Sequence, residues 1–307
     1  MKKLLIALML FPAMVHAQKL NETNYRIYSS KTGKKVTLKD VVSDMENYDV
    51  VIFGEEHNDS VGHYLEASLL ELMHLKFGKD LALSLEMFDR DVQPVMNEYL
   101  QGYIREKHFK KDARAWSNYR DYKPMVDFAR KKELDVICAN APARYANLAG
   151  RMGFRALNIL PDESRPYLAP IPFDTAKGEY RDKLLGVTHD DGDDTAKHAP
   201  PPMMGSSFNL VLAQSTWDAT MAYSITEYLK KKANRDKKIV HVNGRFHSDG
   251  RFAVVEQLAN YNDKLKVLVI SSGAEASFPD VDMDTHERNG DYIIITDPKV
   301  PKTYAEN

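Results

Sequence analysis

Five short, almost unbroken apolar runs constrain this chain more than any other feature. They are Val50-Val51-Ile52-Phe53, Leu81-Ala82-Leu83-Ser84-Leu85, and residues 134–140, 239–243 and 266–270. Each is short for a helix and lacks a regularly polar side, so each reads as a strand buried on both faces. Segments with helical spacing lie between them. The clearest is 60–77, with Leu65, Leu69, Leu70, Met73 and Leu75 on one side and Gly78 as a stop. Residues 91–104, 124–132, 215–232 and 250–260 read the same way, and 292–296 adds a strand at the edge. Strands alternating with helices predict an α/β fold: a mostly parallel β-sheet flanked by helices on both faces. The periodicity fails over 161–205, a stretch rich in proline, glycine and acidic residues. It is far too long for an ordinary connection, and reads as a long irregular insertion, lid-like or excursive.

The first residues set the expected compartment. Met1-Lys2-Lys3, an apolar run to Val15 and then His16-Ala17 form the pattern of a cleavable leader. Residues 1–17 are therefore expected to be a signal peptide, and 18–307 a single α/β domain carrying the insertion. The expected location is periplasmic or secreted, as a soluble protein. No cysteine lies near the cleavage point, so a lipoprotein is not expected there. The one cysteine, Cys138, falls in an expected strand and reads as a buried, inert thiol. Lys and Arg number 42 against 44 Asp and Glu, a balance that gives no reason to expect a nucleic-acid partner. Tyrosine is abundant, at 16 residues, and its phenolate is a hard oxygen ligand suited to ferric iron.

Ligands of open parallel sheets sit beyond the carboxyl ends of the strands. There this chain places Glu55, Glu56 and His57 after the first strand, Glu86 after the second, Asn140 after the third, and Gly244 with His247 after the fourth. Hydrophobic burial does not call for polar groups at so many strand ends, whereas a metal, a catalytic water or a polar ligand does. The spacing Gly-x-x-His occurs twice, in Gly54-Glu55-Glu56-His57 and Gly244-Arg245-Phe246-His247, each time just after a strand. Taken singly, Glu55 or Glu56 could equally receive amides of the following helix, and His57 could be a loop histidine.

Six ordered segments carry a resemblance. They are Phe53-Gly54-Glu55-Glu56-His57-Asn58-Asp59 with His63; Leu85-Glu86-Met87-Phe88-Asp89-Arg90 with Gln93; Trp116 with Tyr119, Tyr122 and Pro124; residues 138–144, ending at Arg144; residues 213–222; and Asn243-Gly244-Arg245-Phe246-His247. In these the chain resembles the ChaN-like haem-binding uptake proteins, a branch of the Tiki/TraB and erythromycin-esterase-like superfamily. The resemblance implies haem as cofactor and cargo, in an envelope protein of iron acquisition. It also implies ferric haem held by tyrosine, with two rings packed face to face across a homodimer, and an outer-membrane haem receptor or transporter as partner. The candidate haem-binding residues are Tyr122, then Tyr119, with His57, His63, Arg144 and His247. The chain departs from the family where many members carry a lipid-accepting cysteine. The stretch around His189, His198, Met203 and Met204 also has no family match. Pro200-Pro201-Pro202-Met203-Met204 could close an apolar lid over a flat ligand, while Asp190, Asp191, Asp193 and Asp194 read as a solvated face.

The same strand ends support a rival class. In a metal-dependent hydrolase, peptidase or esterase, His57, Glu86 and His247 would hold a divalent metal. Glu55 or Glu56 would then be the general base. A non-catalytic interaction protein that kept the fold is the third class, and the intact polar cluster argues against it.

Overall fold

A computed structural model describes residues 20–187 and 209–305. Eight strands form one sheet: β1 (Tyr25–Ser29), β2 (Lys35–Val36), β3 (Val50–Glu55), β4 (Leu81–Asp89), β5 (Asp135–Asn140), β6 (Lys238–Gly244), β7 (Val267–Ala274) and β8 (Tyr292–Thr296). Their order is β2-β1-β8-β7-β3-β6-β4-β5. From β8 to β5 every pairing is parallel, and β1 joins β2 and β8 antiparallel. The expected α/β sheet is therefore present. The strand at 292–296 is not at the edge, however: β8 lies between β7 and β1. β1 itself gave little apolar signal, because only Ile27 among its five residues is buried.

Alternation along β3 divides the core. Val51 and Phe53 point to one face, packed with α1 (Leu38–Asp44), α2 (Ser60–Phe77) and α5 (Tyr119–Lys132). Val50 and Ile52 point to the other, under α9 (Leu210–Lys230) and α10 (Val254–Tyr261). Local chemistry fixes the helix starts. Thr37 and Asp40 form a reciprocal cap on α1, Asp59 caps α2 through Val61 N, and Asn209 caps α9 through Leu212 N. The Asn209 cap starts α9 five residues before the apolar spacing alone suggests. α5 likewise begins at Tyr119, with Pro124 inside it. α10 starts later than expected, because Gly250 (φ 72°) and Ala253 (φ 50°) interrupt the helical path.

Shorter helices escaped the sequence pattern: α3 (Gln93–Leu100) is trimmed, and α4 (Glu106–Asp112), α6 (Ala143–Met152), α7 (Phe154–Asn158) and α8 (Gly178–Val187) are additional. α3 also closes the sheet. The Gln93 side chain donates to Val136 O and accepts from Cys138 N, both at 2.8 Å, taking the place of a neighbouring strand on the outer edge of β5. α8 corrects the reading of 161–205 as irregular throughout. Its Tyr180 and Leu184 are buried with Ala253 against Val211, Phe246 and Phe252. Residues 188–205 lie outside the described residues, including His189, His198, the acidic run and the Pro200–Met204 lid, as does the leader at 1–17. Among the described residues no helix is long and apolar enough to cross a membrane. Cys138 is a free, buried thiol, and burial pushes it well up.

Candidate functional site

β3 and β6 are neighbours in the sheet, yet the chain leaves them in opposite directions. After β3 it passes to α2 on one face, and after β6 to α10 on the other. Such a switch point opens a crevice at the carboxyl edge of a parallel sheet. The two Gly-x-x-His loops flank it, and each glycine makes room for the other loop. A Cβ on Gly54 would stand 2.9 Å from Arg245 Cα, and one on Gly244 would stand 2.8 Å from His57 Nε2. The repeated spacing thus reflects mutual packing of two loops, with both histidines brought to the same crevice.

On the β3 side, buried Glu55 is the hub. Its Oε1 contacts His57 Nδ1 at 2.7 Å and accepts from the Tyr122 hydroxyl at 2.7 Å, while its Oε2 lies 3.1 Å from His63 Nδ1. Burial alone would raise this carboxyl. The charge of His63 and the contacts of both histidines outweigh it and hold Glu55 well below the usual carboxylate range. Glu66, one turn along α2 from His63, lies 3.2 Å from the same Nδ1, and burial beside Glu55 pushes it well up. His63 is drawn up to about 12: burial opposes this, but Glu66 and Glu55 prevail. Asn118 secures the corner by donating to the backbone carbonyl of His57 at 3.2 Å. His57 is the open member, with 31% of its side chain exposed and its ring edge-on to Trp116 at 5.3 Å. Burial works against its charge, yet the bond to Glu55 raises it overall.

On the β6 side, Glu86 Oε2 accepts from Gly244 N at 2.7 Å, and Oε1 lies 3.4 Å from His247 Nε2. The other nitrogen, Nδ1, lies 2.5 Å from Asp218 Oδ1. Asp218 also accepts from the Tyr180 hydroxyl at 2.9 Å, which ties α8 to the site. Gln214, four residues before Asp218 on α9, lies 3.2 Å from His247 Nδ1. Burial disfavours charge on Glu86 and His247, but their mutual attraction wins. Glu86 falls to about 2 and His247 rises to about 10. Asp218 goes up, because burial exceeds the pull of His247.

The structure brings together Glu55, His57, His63, Glu86, His247 and Tyr122. It turns Glu56 aside, towards Arg245 at 3.5 Å and Ala274 N at 3.3 Å, so of the two acids only Glu55 meets His57. Asn140 accepts from Ala141 N within its own turn. Tyr119, only 2% exposed, lies among Phe88 and Phe109. Tyr122 is fully buried, and burial with Glu55 pushes its phenol well up, so here the hydroxyl keeps its proton. Arg144 pairs with Asp91 at 2.7 Å and covers the Tyr145 ring, half exposed. Glu66, Asp218, Gln214 and Tyr180 carry roles the strand-end argument missed, because they sit on helices. Their signal was the one-turn spacing that puts His63 with Glu66, and Gln214 with Asp218, on one helix side.

The model of the family described as "Haem-binding uptake, Tiki superfamily, ChaN" matches residues 41–258. The chain belongs to this family. The match runs from β3 into α10 and includes every histidine and acid that lines the crevice, from Glu55 to His247. A solved structure described as cofacial haem binding to ChaN of Campylobacter jejuni is similar in fold. It has a TM-score of 0.63 at 14% identity, over 90% of this chain and 98% of that one. The type III effector HopBA1 also aligns, over 91% of this chain and 99% of its own, with a TM-score of 0.46 and 14% identity. No curated protein matches in sequence.

Proposed function

We propose that this ChaN-family protein binds haem in the cell envelope as part of haem and iron acquisition. The observation that carries the proposal is the family match over 41–258, which spans the whole crevice. The leader pattern at 1–17 supports export, and ferric haem held by tyrosine, as a cofacial pair across a homodimer, is the arrangement proposed. The cofacial haem binding described for the Campylobacter jejuni protein is in keeping with that arrangement. His57, partly open beside Trp116, and Arg144, half exposed, are the accessible candidates. Tyr122 and Tyr119 face inward in this conformation. Ligation through either requires the 116–122 stretch to turn outward and the phenol to lose its proton, for which the iron charge would compensate. Titration with haemin tests the reading. A saturable Soret shift is expected, lost in Tyr122→Phe or Tyr119→Phe, and no saturable shift in the wild type overturns it.

One observation favours a second reading, metal-dependent hydrolysis. The hollow over Gly244, which a Cβ would fill, receives His57 Nε2 beside Glu86, with His247 on the far side of that carboxylate. Two imidazoles and a carboxylate suit zinc, which would polarise a carbonyl or a water there. Glu55 is placed to orient His57 and hold its proton at Nδ1. Elemental analysis separates the readings: a divalent ion lost in both His57→Ala and His247→Ala supports hydrolysis, and metal-free wild-type protein sinks it.

A further inference from the structure

A second cluster lies behind the crevice, on the interior side of His57. Among the described residues, Glu55, His63 and Glu66 form a group whose ligand atoms all fall within 4.8 Å of one another, and all three are buried. It draws on two elements, since Glu55 ends β3 while His63 and Glu66 lie one turn apart on α2.

Its spacing differs from that of the two short ion pairs beside it, although His247 and Glu86 stand further apart, at 3.4 Å. Charge-assisted N–H···O bonds run at about 2.7–2.9 Å. His57 with Glu55 stands at 2.7 Å, and His247 with Asp218 at 2.5 Å. His63 Nδ1, by contrast, lies 3.1 Å from Glu55 Oε2 and 3.2 Å from Glu66 Oε2, facing two carboxylates with one possible proton. Ligand bonds of about 2.0–2.2 Å around a small divalent ion put adjacent ligand atoms roughly 3.0–3.5 Å apart. The observed separations fall in that interval. His63 is also oriented, because its Nε2 contacts the His57 carbonyl at 3.0 Å, as the second nitrogen of a metal-bound imidazole commonly does.

Independent of this spacing, the cluster holds carboxylate oxygens without hydrogen-bond partners. Glu66 Oε1 and Glu55 Oε2 are both buried without a hydrogen-bond partner. Unsatisfied carboxylate oxygens in a protein interior are costly, and a cation is what would satisfy them.

We propose that Glu55, His63 and Glu66 form a buried site for one divalent transition-metal ion, distinct from the crevice and held whether or not haem binds. The mixed nitrogen and oxygen donors select an ion such as zinc, manganese or ferrous iron over calcium or magnesium. Through Glu55, the ion would fix the carboxylate that orients His57, so the site would stiffen the crevice from behind.

The full chain is stripped with a chelator, loaded with Zn2+, gel-filtered and assayed by elemental analysis. One equivalent is expected in the wild type, kept in His247→Ala and lost in Glu66→Gln. Crystals of the zinc-loaded wild type provide a readout that does not depend on a variant folding: an anomalous peak is expected beside His63 Nδ1. A wild type that retains no zinc overturns the proposal. So does zinc lost in His247→Ala but kept in Glu66→Gln, or a peak only beside His247. Haemin titration of the stripped wild type is expected to give the same Soret shift, so failure of haem binding and failure of this site are read separately.

Discussion

The loops after β3 and β6 share the Gly-x-x-His spacing and face each other across one crevice, yet hold their histidines differently. His57 is engaged at Nδ1 and open to solvent along one side, whereas His247 meets acids at both nitrogens inside the protein. Identical spacing therefore fixes where a histidine arrives but not what it can do. The difference comes from what each loop packs against: Trp116 at the mouth for His57, and the buried Gln214–Asp218 face of α9 for His247. His57 is the member suited to meeting a ligand, and His247 is an interior cation that holds α8, α9 and β4 to the β6 loop.

The sharpest way to break that contrast is to truncate one side chain on each side. Asp218→Ala leaves His247 with Glu86 alone and the Tyr180 hydroxyl without its acceptor, and losing one partner of a buried pair costs about 3–5 kcal/mol. His57→Ala removes a partly solvated side chain and is expected to cost about 1–2 kcal/mol. Urea denaturation measures both, and equal costs would erase the distinction. The same ion pair gives a pH signature. His247 in the fold, at about 10, stands above its ordinary 6.5, so its contribution is complete below pH 6.5 and is lost as pH rises towards 10. Glu86, at about 2 against 4.5, contributes above pH 4.5 and loses that contribution as pH falls towards 2. Stability from this pair is thus greatest between about pH 4.5 and 6.5, and His247→Gln is expected to flatten the alkaline decline. A variant with an unchanged alkaline limb would place that titration elsewhere, His63 being the next group.

The paired glycines give a smaller effect with a sharper reading. Gly54→Ala would drive a methyl against the Arg245 backbone at 2.9 Å, which cannot swing away. Such overpacking costs about 1–3 kcal/mol. Gly244→Ala meets the tip of the His57 ring at 2.8 Å, a group with solvent on one side and room to rotate. Its stability cost is expected to stay below about 1 kcal/mol, while the displaced ring changes the His57 titration seen by NMR. The reverse order of stability losses would mean that His57 is held as rigidly as backbone.

The sheet was legible because strands buried on both faces leave unbroken apolar runs, as at Val50–Phe53, and the rule that ligands sit beyond the carboxyl ends of parallel strands then singled out the polar strand ends. Glu55, Glu86 and His247 followed directly. The partners were illegible for a physical reason: Asp218 and Glu66 sit among apolar residues on buried helices, where only tertiary contact with a histidine distinguishes an ion pair from a misplaced acid. β1 was missed because its half-buried alternation gives little signal, and that omission put β8 at the edge. Tyr119 and Tyr122 were legible as members of a motif, but their inward orientation was not, since a helical segment of mixed polarity does not reveal which ring faces the core.

Arg144 offers the finest test, because it is the most exposed of the candidates. Arg144 is about half exposed and shares Asp91 with Arg114, which keeps that acid paired, so Arg144→Gln is expected to cost no more than about 1 kcal/mol in urea denaturation. An arginine that instead meets the carboxylate of a bound ligand makes a charge-assisted bond worth about 1.5–3 kcal/mol, or roughly ten- to a hundredfold in affinity. If haem propionates reach this side of the crevice, haemin affinity in Arg144→Gln falls by that factor while stability holds. Unchanged affinity would confine the ligand to the His57 mouth and leave Arg144 a partner of Asp91 and the Tyr145 ring alone.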